Sequence, residues 1–262
     1  MELHFDCTQC GRCCHDLRLP LSVDEARRWA ADGNQVQILA EASPAFETPP
    51  PGSPERHRYD RALPAMSGTV PIRVSILLVA AFKGACPHLR ADMLCGQYED
   101  RPRVCRIYPA EVSPRATLVP SRKACPPEAW HSDHPLLSSD GAVVDPSLAA
   151  LIAEHRSAEL ADVDTKRHVC RVLDIRSAAF ANEGFAAFSP SPESLLQILG
   201  DIGGEAAPEP QPAQWDIVTN RQATLTMLET VAAQARMTPR GNGYIGFFED
   251  ETSSPDSVGD PT

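Results

Sequence analysis

FDCTQCGRCC, residues 5–14, is the stretch that decides how the front of this chain folds. Two residues separate each of its first three cysteines, and a fourth cysteine follows directly after the third. The spacing C-x2-C lets two sulfurs point at one ion from a tight turn. The run C-x2-C-x2-C is the spacing by which one loop supplies three thiolates to an iron–sulfur cluster. Gly11 permits the left-handed backbone that such a turn demands. The stretch therefore predicts a metal-binding cysteine loop.

Four further cysteines complete a set of eight in the first half of the chain. Cys86 and Cys125 each precede a proline, which stiffens the chain beside a ligand. Eight thiolates are enough for two four-ligand sites, and fewer sites would suffice if His15, His88 or water filled a position. Adjacent sulfurs point apart, so Cys14 is expected to serve a second site. The predicted metal ligands are Cys7, Cys10, Cys13, Cys14, Cys86, Cys95, Cys105 and Cys125.

Charge near these cysteines fits the same interpretation. Four thiolates leave a net charge of about −2 around Zn²⁺ or around a [4Fe–4S]²⁺ core. Arginines close to them in sequence would offset that charge, although a solvated surface position is the alternative for each one. These arginines are Arg12, Arg18, Arg101, Arg103 and Arg106. The ninth cysteine, Cys170, lies alone on a helical pattern and is predicted to be a core residue.

Composition narrows the class of protein. The 262 residues are 42% hydrophobic and 23% charged, with a formal net charge of −11, which argues against a general binder of nucleic acid or anionic membranes. No run approaches the ~18 apolar residues that a membrane helix needs. The N-terminus has neither the basic start nor the apolar core of a signal peptide. We therefore expect a cytoplasmic protein, in whose reducing environment clustered thiols bind metal rather than form disulfides.

The predicted fold class is α+β and loop-rich. Ser22 and Glu25 form a capping box that opens a helix. The proline-rich residues 43–68 predict a surface loop, and residues 69–82 predict one long strand or a hairpin.

From Asp145 onward the patterns are helical. Helices are predicted from Pro146 to about Phe180, from Ser191 to Gly200 and from Trp215 to Ala235. The predicted domains are a cysteine-cluster metal-binding domain with a few strands and short helices at 1–140, a helical C-terminal region at 141–240 and a disordered acidic tail at 241–262.

Two separated signatures carry a family resemblance. The first is FDCTQCGRCC, and the second runs from Cys86-Pro87-His88-Leu89 through Cys95 to Tyr98-Glu99-x-Arg101-Pro102-x-x-Cys105-Arg106-x-Tyr108-Pro109. Together they resemble the bacterial YkgJ-type, or CxxCxxCC, cysteine-cluster family over roughly residues 1 to 127. The resemblance implies zinc or iron chelation, often as an iron–sulfur cluster, and implies the same eight ligands.

Three functional hypotheses from different classes follow. The leading hypothesis is a cytosolic metal-binding protein that holds an iron–sulfur cluster ([4Fe–4S]) or zinc, with a redox or structural role and a protein partner or substrate. The alternative is an S-adenosylmethionine-dependent lysine N-methylase, because the flagellin lysine N-methylases share a cysteine signature of this type. Their first two cysteines are spaced differently, and no glycine-rich methyltransferase loop follows a strand here. A third hypothesis is an interaction module whose helical remainder binds a partner.

Overall fold

Local signals in the sequence position most of the secondary structure. The computed structural model describes residues 2–114, 116–201, 212–241 and 243–250. Over those ranges the chain forms twelve strands and seven α-helices, which confirms the α+β class. The strands are β1 (Glu2–His4), β2 (Arg18–Leu21), β3 (Val36–Pro44), β4 (Leu63–Ser67), β5 (Val70–Ala81), β6 (Leu136–Ser139), β7 (Ala142–Val143), β8 (Ser177–Phe180), β9 (Gly184–Phe188), β10 (Asp216–Thr219), β11 (Ala235–Met237) and β12 (Tyr244–Gly246). The helices are α1 (Val23–Ala31), α2 (Pro54–Asp60), α3 (Arg103–Ile107), α4 (Pro146–Ala161), α5 (Val163–Val172), α6 (Pro192–Gly200) and α7 (Gln222–Thr230).

Nine of the described strands form one mixed sheet. Its main order is β11-β10-β8-β3-β5-β2, with β4 beside β5 and with β9 between β3 and β12. Strands β3 and β5 pair antiparallel over their length, whereas β8 runs parallel to both β3 and β10. A separate three-stranded sheet has the order β1-β6-β7. Because β1 immediately precedes the cysteine loop, this small sheet fixes where that loop begins.

The core lies between the large sheet and helices α1, α5 and α6. Strand β5 is rich in β-branched residues, which suit a pleated and buried surface, and Val74 is fully buried. Helix α1 presents Ala26 and Trp29 to the core, and α6 presents Leu195. Each large apolar side chain buried in this way contributes about 1.5–3 kcal/mol. The predicted capping box of α1 is confirmed, since Ser22 Oγ accepts the Glu25 amide and Glu25 accepts the Ser22 amide.

The proline-rich stretch is more ordered than the sequence predicts. Residues 43–68 contain helix α2 and strand β4 as well as loop. Helix α2 begins because Ser53 Oγ accepts the Arg56 amide at 3.1 Å and Pro54 occupies the first turn. Residues 69–82 form one long strand, β5, which was one of the two predicted alternatives, and β4 pairs with it from the preceding segment. The prediction of a loop is therefore wrong for residues 54–67.

The C-terminal region is not purely helical, which corrects the prediction. Helix α5 ends at Val172, and strand β8 takes the place of its predicted continuation to Phe180. The helix predicted from Trp215 to Ala235 is instead strand β10, the shorter helix α7 and strand β11. Strand β10, whose residues are mostly β-branched, lies between two parallel strands. Strands in that position are buried on both faces, so their sequences lack the alternation of polar and apolar residues that marks other strands.

Strands from both sides of residue 140 share the large sheet. Strand β3 pairs with both β8 and β9, so the predicted division between 1–140 and 141–240 crosses one sheet. The predicted tail at 241–262 also needs correction, because Tyr244 is 2% exposed and its strand β12 pairs with β9. Residues 251–262 lie outside the described part of the chain. Within that part, no helix has both the length and the apolarity needed to cross a bilayer.

Candidate metal centre

One cavity collects most of the predicted ligands. It has a volume of about 550 Å³ and is lined by seven of the eight cysteines, with Cys86 as the exception. These thiols come from chain segments that are far apart in sequence, and all nine cysteines are free rather than disulfide-bonded. Cys170 is 1% exposed in the main core, away from the cavity, as predicted. The cysteines that line the cavity are Cys7, Cys10, Cys13, Cys14, Cys95, Cys105 and Cys125.

The N-terminal cysteine loop (residues 5–14) is held at both ends. At its start, the Phe5 amide donates to Pro135 O, and the Phe5 ring packs on Trp130 with centroids 4.9 Å apart. At its end, Gly11 has a φ of 69°, as the turn was predicted to require, and its carbonyl accepts the Cys14 amide at 2.9 Å. A Cβ on Gly11 would lie 2.7 Å from Met93 Cε. The turn therefore needs glycine for both its backbone angle and its close contact.

The second cysteine loop (residues 85–96) packs directly on the first. The Cys86 amide donates to the Cys14 carbonyl at 2.7 Å, and His15 forms a β-bridge with Ala85. The loop is closed by a β-bridge between Leu89 and Cys95. Backbone pairing therefore brings Cys86 and Cys95 to the third and fourth cysteines of the first loop.

Helix α3 contains Cys105, and the residue that follows the helix contacts the segment that contains Cys125. Pro102 is its N-cap, and the first helical amide donates to the carboxylate of Glu25 on α1. Directly after α3, the Tyr108 hydroxyl accepts the Ala124 amide at 2.8 Å. This hydrogen bond fixes the residue before Cys125 against the end of the helix.

Two of the five arginines named from the sequence, Arg101 and Arg106, line the cavity. The Arg101 guanidinium lies over the Tyr98 ring, 3.8 Å from its centroid. Its Nε is buried and has no hydrogen-bond partner among the described residues, so a sulfur acceptor in the cavity would satisfy it. Arg103 instead pairs with Glu25 and Glu154. The three arginines that do not line the cavity are Arg12, Arg18 and Arg103.

The adjacent thiols of Cys13 and Cys14 interact with each other. The Cys14 thiol donates a hydrogen bond to the Cys13 sulfur, and this bond lowers the pKa of Cys13 to about 6 against the opposing effect of burial. The charges of Arg101 and His15 act in the same direction. The same hydrogen bond raises the pKa of Cys14. Of this pair, Cys13 is therefore the thiol that loses its proton more readily.

The other shifted thiols of the centre are held protonated. Burial raises the pKa of Cys105 to about 12, and neighbouring thiols reinforce the effect. Burial also raises the pKa of Cys86 and of Cys125. A metal ligand must be the thiolate, so binding at these positions would displace protons.

The donor set fits a soft metal, although the thiols do not yet converge. Thiolates select zinc or iron–sulfur clusters over hard cations. Among the described residues, no three His, Cys, Asp or Glu side chains stand in the arrangement that one ion requires. Metal binding would therefore have to draw the sulfurs together. The two histidines named as substitutes do not line the cavity: His15 Nδ1 is 3.1 Å from Gly11 O, and His88 packs edge-on against Trp29.

The sequence did not place helix α4 at this centre. Asp145, Ser147, Leu148 and Leu151 line the cavity from the start of that helix. The Asp145–Pro146 cap predicts the helix itself, but nothing local predicts that it packs against α3. Nothing in the sequence around Tyr108 predicts the hydrogen bond between its hydroxyl and the Ala124 amide.

Fold and site together describe a cysteine-rich domain with one cavity lined by thiols. Residues 6–126 match the model of the CxxCxxCC family, whose description is "Putative zinc- or iron-chelating domain". This match confirms the resemblance seen in the cysteine signatures. No curated protein and no solved structure matches the chain. The similarity to flagellin lysine N-methylases stays a prediction.

Proposed function

We propose that this chain binds metal through thiolates of its eight clustered cysteines, as a [4Fe–4S] cluster or as zinc. The observation that carries the proposal is that seven of those cysteines line one cavity although they come from four separate segments. Cys86, the eighth, is tied to the same place by its amide hydrogen bond to Cys14.

The residues around the thiols support a bound anionic centre. Arg101 brings a positive charge and an unsatisfied buried N–H to the cavity wall. Apolar residues such as Ile107, Leu137 and Leu151 also line the cavity. An iron–sulfur cluster bound here would supply electron transfer or a redox-sensitive structural role, and zinc would supply structural stabilisation. We expect the protein to act in the cytoplasm, where thiols stay reduced, and to have a protein partner or substrate.

Elemental analysis combined with a spectrum tests the proposal. The full chain is purified without oxygen, its zinc and iron are counted per chain, and its visible absorption is recorded. Iron with acid-labile sulfide and a broad brown absorption would establish a cluster, and colourless zinc-loaded protein would establish a structural zinc role. Protein that contains neither metal, even after anaerobic reconstitution, would refute metal binding.

Calorimetry separates this function from the methylase alternative. S-adenosylmethionine is titrated into the metal-loaded chain at high ligand concentration. A metal-binding protein without a methyl-donor site is expected to give no binding heat. Saturable binding would favour the lysine N-methylase, with the metal centre as its scaffold.

A further inference from the structure

Arg101 places an unsatisfied donor at the wall of the thiol-lined cavity. Its side chain is part of the cavity lining, and its Nε is buried without a hydrogen-bond partner among the described residues. Buried N–H groups in native structures are nearly always hydrogen-bonded, so an orphaned one needs a specific explanation. This donor therefore requires an acceptor that the described part of the chain does not supply.

The neighbours of Arg101 hold this donor in place. The next residue, Pro102, is the N-cap of α3, and a proline restricts the residue before it to extended backbone. The guanidinium carbon lies 3.8 Å from the centroid of the Tyr98 ring, so the flat face of the group rests on the ring. Because the N–H bonds lie in the plane of the guanidinium, they point to the side of the ring and not into it.

The carboxylates of the cavity wall do not serve as the acceptor. Asp145 is committed to the start of α4, because its Oδ1 accepts the Ser147 amide at 2.8 Å and the Ser147 hydroxyl at 2.7 Å. Asp6 also lines the cavity, but it is exposed and accepts no hydrogen bond from the Arg101 Nε. Seven cysteine sulfurs line the same wall, and a metal-bound sulfur accepts hydrogen bonds because it keeps negative charge.

We propose that the Arg101 Nε–H donates a hydrogen bond to a metal-bound sulfur in this cavity, and that this bond, more than the guanidinium charge, retains the metal. The proposal rests on the proposed function. The charge counts for less because the Arg101 side chain as a whole is partly exposed and therefore screened by water, whereas Nε is buried. The described thiols do not yet converge, so the bond forms as the metal draws the sulfurs together. Arg101 is thus a positioning residue and not a ligand.

Three substitutions separate the hydrogen bond from the charge. Arg101→Gln keeps an N–H at the place of Nε and removes the charge, because the two side chains correspond atom by atom up to that nitrogen. Arg101→Lys keeps the charge but puts a methylene at that place, and Arg101→Met removes both. Each full-length variant is loaded with the metal that the unmodified chain holds, its folding is checked by circular dichroism, and the release of metal to excess chelator is timed.

The expected order of release rates is specific to the hydrogen bond. Arg101→Gln should stay within about threefold of the unmodified chain, whereas Arg101→Lys and Arg101→Met should release metal at least about tenfold faster, as expected when a hydrogen bond to a charged acceptor is lost. Arg12→Gln is the matched control: it removes the same charge from an exposed side chain outside the cavity lining and should not change the rate. Fast release from Arg101→Gln, or slow release from Arg101→Lys or Arg101→Met, would overturn the proposal. An unmodified chain that holds no metal would instead refute the proposed function.

Proton exchange in the unmodified chain gives a second test, which does not depend on the folding of a variant. Heteronuclear NMR follows the arginine Nε–H protons in the metal-loaded and the metal-stripped chain. The Arg101 Nε–H should exchange with water at least about tenfold more slowly in the loaded chain, because the hydrogen bond to sulfur protects it. The Nε–H of Arg12, which is exposed, should exchange equally in both forms. Equal exchange of the Arg101 Nε–H in the two forms would overturn the proposal.

Discussion

Glu25 and Arg103 are joined across 78 residues by one hydrogen bond, in which the Arg103 amide donates to Glu25 Oε1 at 2.7 Å. The other oxygen of the same carboxylate accepts the Ser22 amide at 2.8 Å and closes the capping box of α1. One carboxylate, on a residue that is 4% exposed, therefore accepts the N-cap amide of α1 and the first helical amide of α3. Since α3 carries Cys105, this bond connects the main core to the metal centre.

Removal of this carboxylate should destabilise both helices. Glu25→Ala is expected to lower the free energy of unfolding by about 3 kcal/mol, because two buried backbone donors lose their acceptor. Metal should also dissociate faster, because α3 is no longer fixed to α1. Urea unfolding and a chelator competition assay measure the two effects. Asp24→Ala is the matched control: its side chain is 79% exposed on the same turn, and it should cost less than about 0.5 kcal/mol. Equal effects of the two variants would contradict this role.

The Glu25 carboxylate should also make stability depend on pH. Burial acts to raise its pKa, but the hydrogen bonds from Arg103 and Ser22 outweigh burial, so the pKa lies below the ordinary value of 4.5. Its stabilisation is therefore complete above the unfolded-state pKa and is lost as the pH falls through the lower folded-state value. The measurement is the difference in unfolding free energy between the unmodified chain and Glu25→Gln, from about pH 7 to about pH 3.

That difference should be constant above pH 4.5 and should shrink on acidification below it. A difference that stays constant down to the lowest pH would show that the hydrogen bonds do not depend on the charge. Both chains should be measured without metal, because protonation of the thiolates releases metal over an acidic range of its own.

Much of the fold was predictable because the deciding signals are local. The Ser22–Glu25 capping box and the Asp145–Pro146 cap identify helix starts within four residues, and both helices begin where predicted. The same type of signal exists at Ser53–Pro54, but the surrounding prolines led to a loop prediction there. Strand β10 is also visible in hindsight, since its β-branched run is typical of a buried strand.

The rest depends on contacts between distant residues. No pattern around Glu25 reveals that its second oxygen accepts an amide 78 residues away. The eight ligand candidates were predictable from spacing alone, but their division between segments rests on pairing such as Cys86 with Cys14. The position of α4 in the cavity wall also depends on distant residues, because side-chain packing between α3 and α4 determines it.

Gly11 should be the least replaceable glycine of the centre. Gly11→Ala places a Cβ 2.7 Å from Met93 Cε and 3.1 Å from Met93 O, at a φ of 69°. Gly33 has a φ of 76°, but a Cβ added there would meet no atom within 4 Å. Gly33→Ala therefore measures the cost of backbone strain alone. We expect about 1–2 kcal/mol of destabilisation for Gly33→Ala and at least about 1 kcal/mol more for Gly11→Ala, with metal loss only in the latter. Thermal unfolding and metal content measure both, and equal behaviour would show that the contact is unimportant.

Tyr108 should act through its hydroxyl. Tyr108→Phe removes the acceptor of the Ala124 amide and the hydroxyl that hydrogen-bonds Cys125, and it should cost about 1–2 kcal/mol, because these hydrogen bonds are lost while the ring stays. Cys125 should become more reactive toward alkylation in the metal-loaded chain. Tyr98→Phe is the matched control, since the ring beneath Arg101 is retained and no hydroxyl contact is removed from the cysteine segments. If the two variants react alike at Cys125, the hydroxyl does not position that ligand.

Cys170 and Cys105 should respond differently to the same change. Cys170→Ser buries a hydroxyl in the core and should cost about 1–3 kcal/mol, but it should leave the metal content unchanged. Cys105→Ser should lose metal, because its sulfur lines the cavity. Elemental analysis of both folded variants compares them directly. Metal loss in Cys170→Ser would mean that the set of eight ligands is incomplete.

The most direct measurement is the metal content of the anaerobically purified full chain, taken together with thiol reactivity. The prediction is zinc or iron in stoichiometric amount, with all eight clustered cysteines protected from alkylation until a chelator removes the metal. A folded chain that holds neither zinc nor iron after reconstitution, and whose eight thiols react freely from the start, would contradict the central claim that these thiols bind metal together.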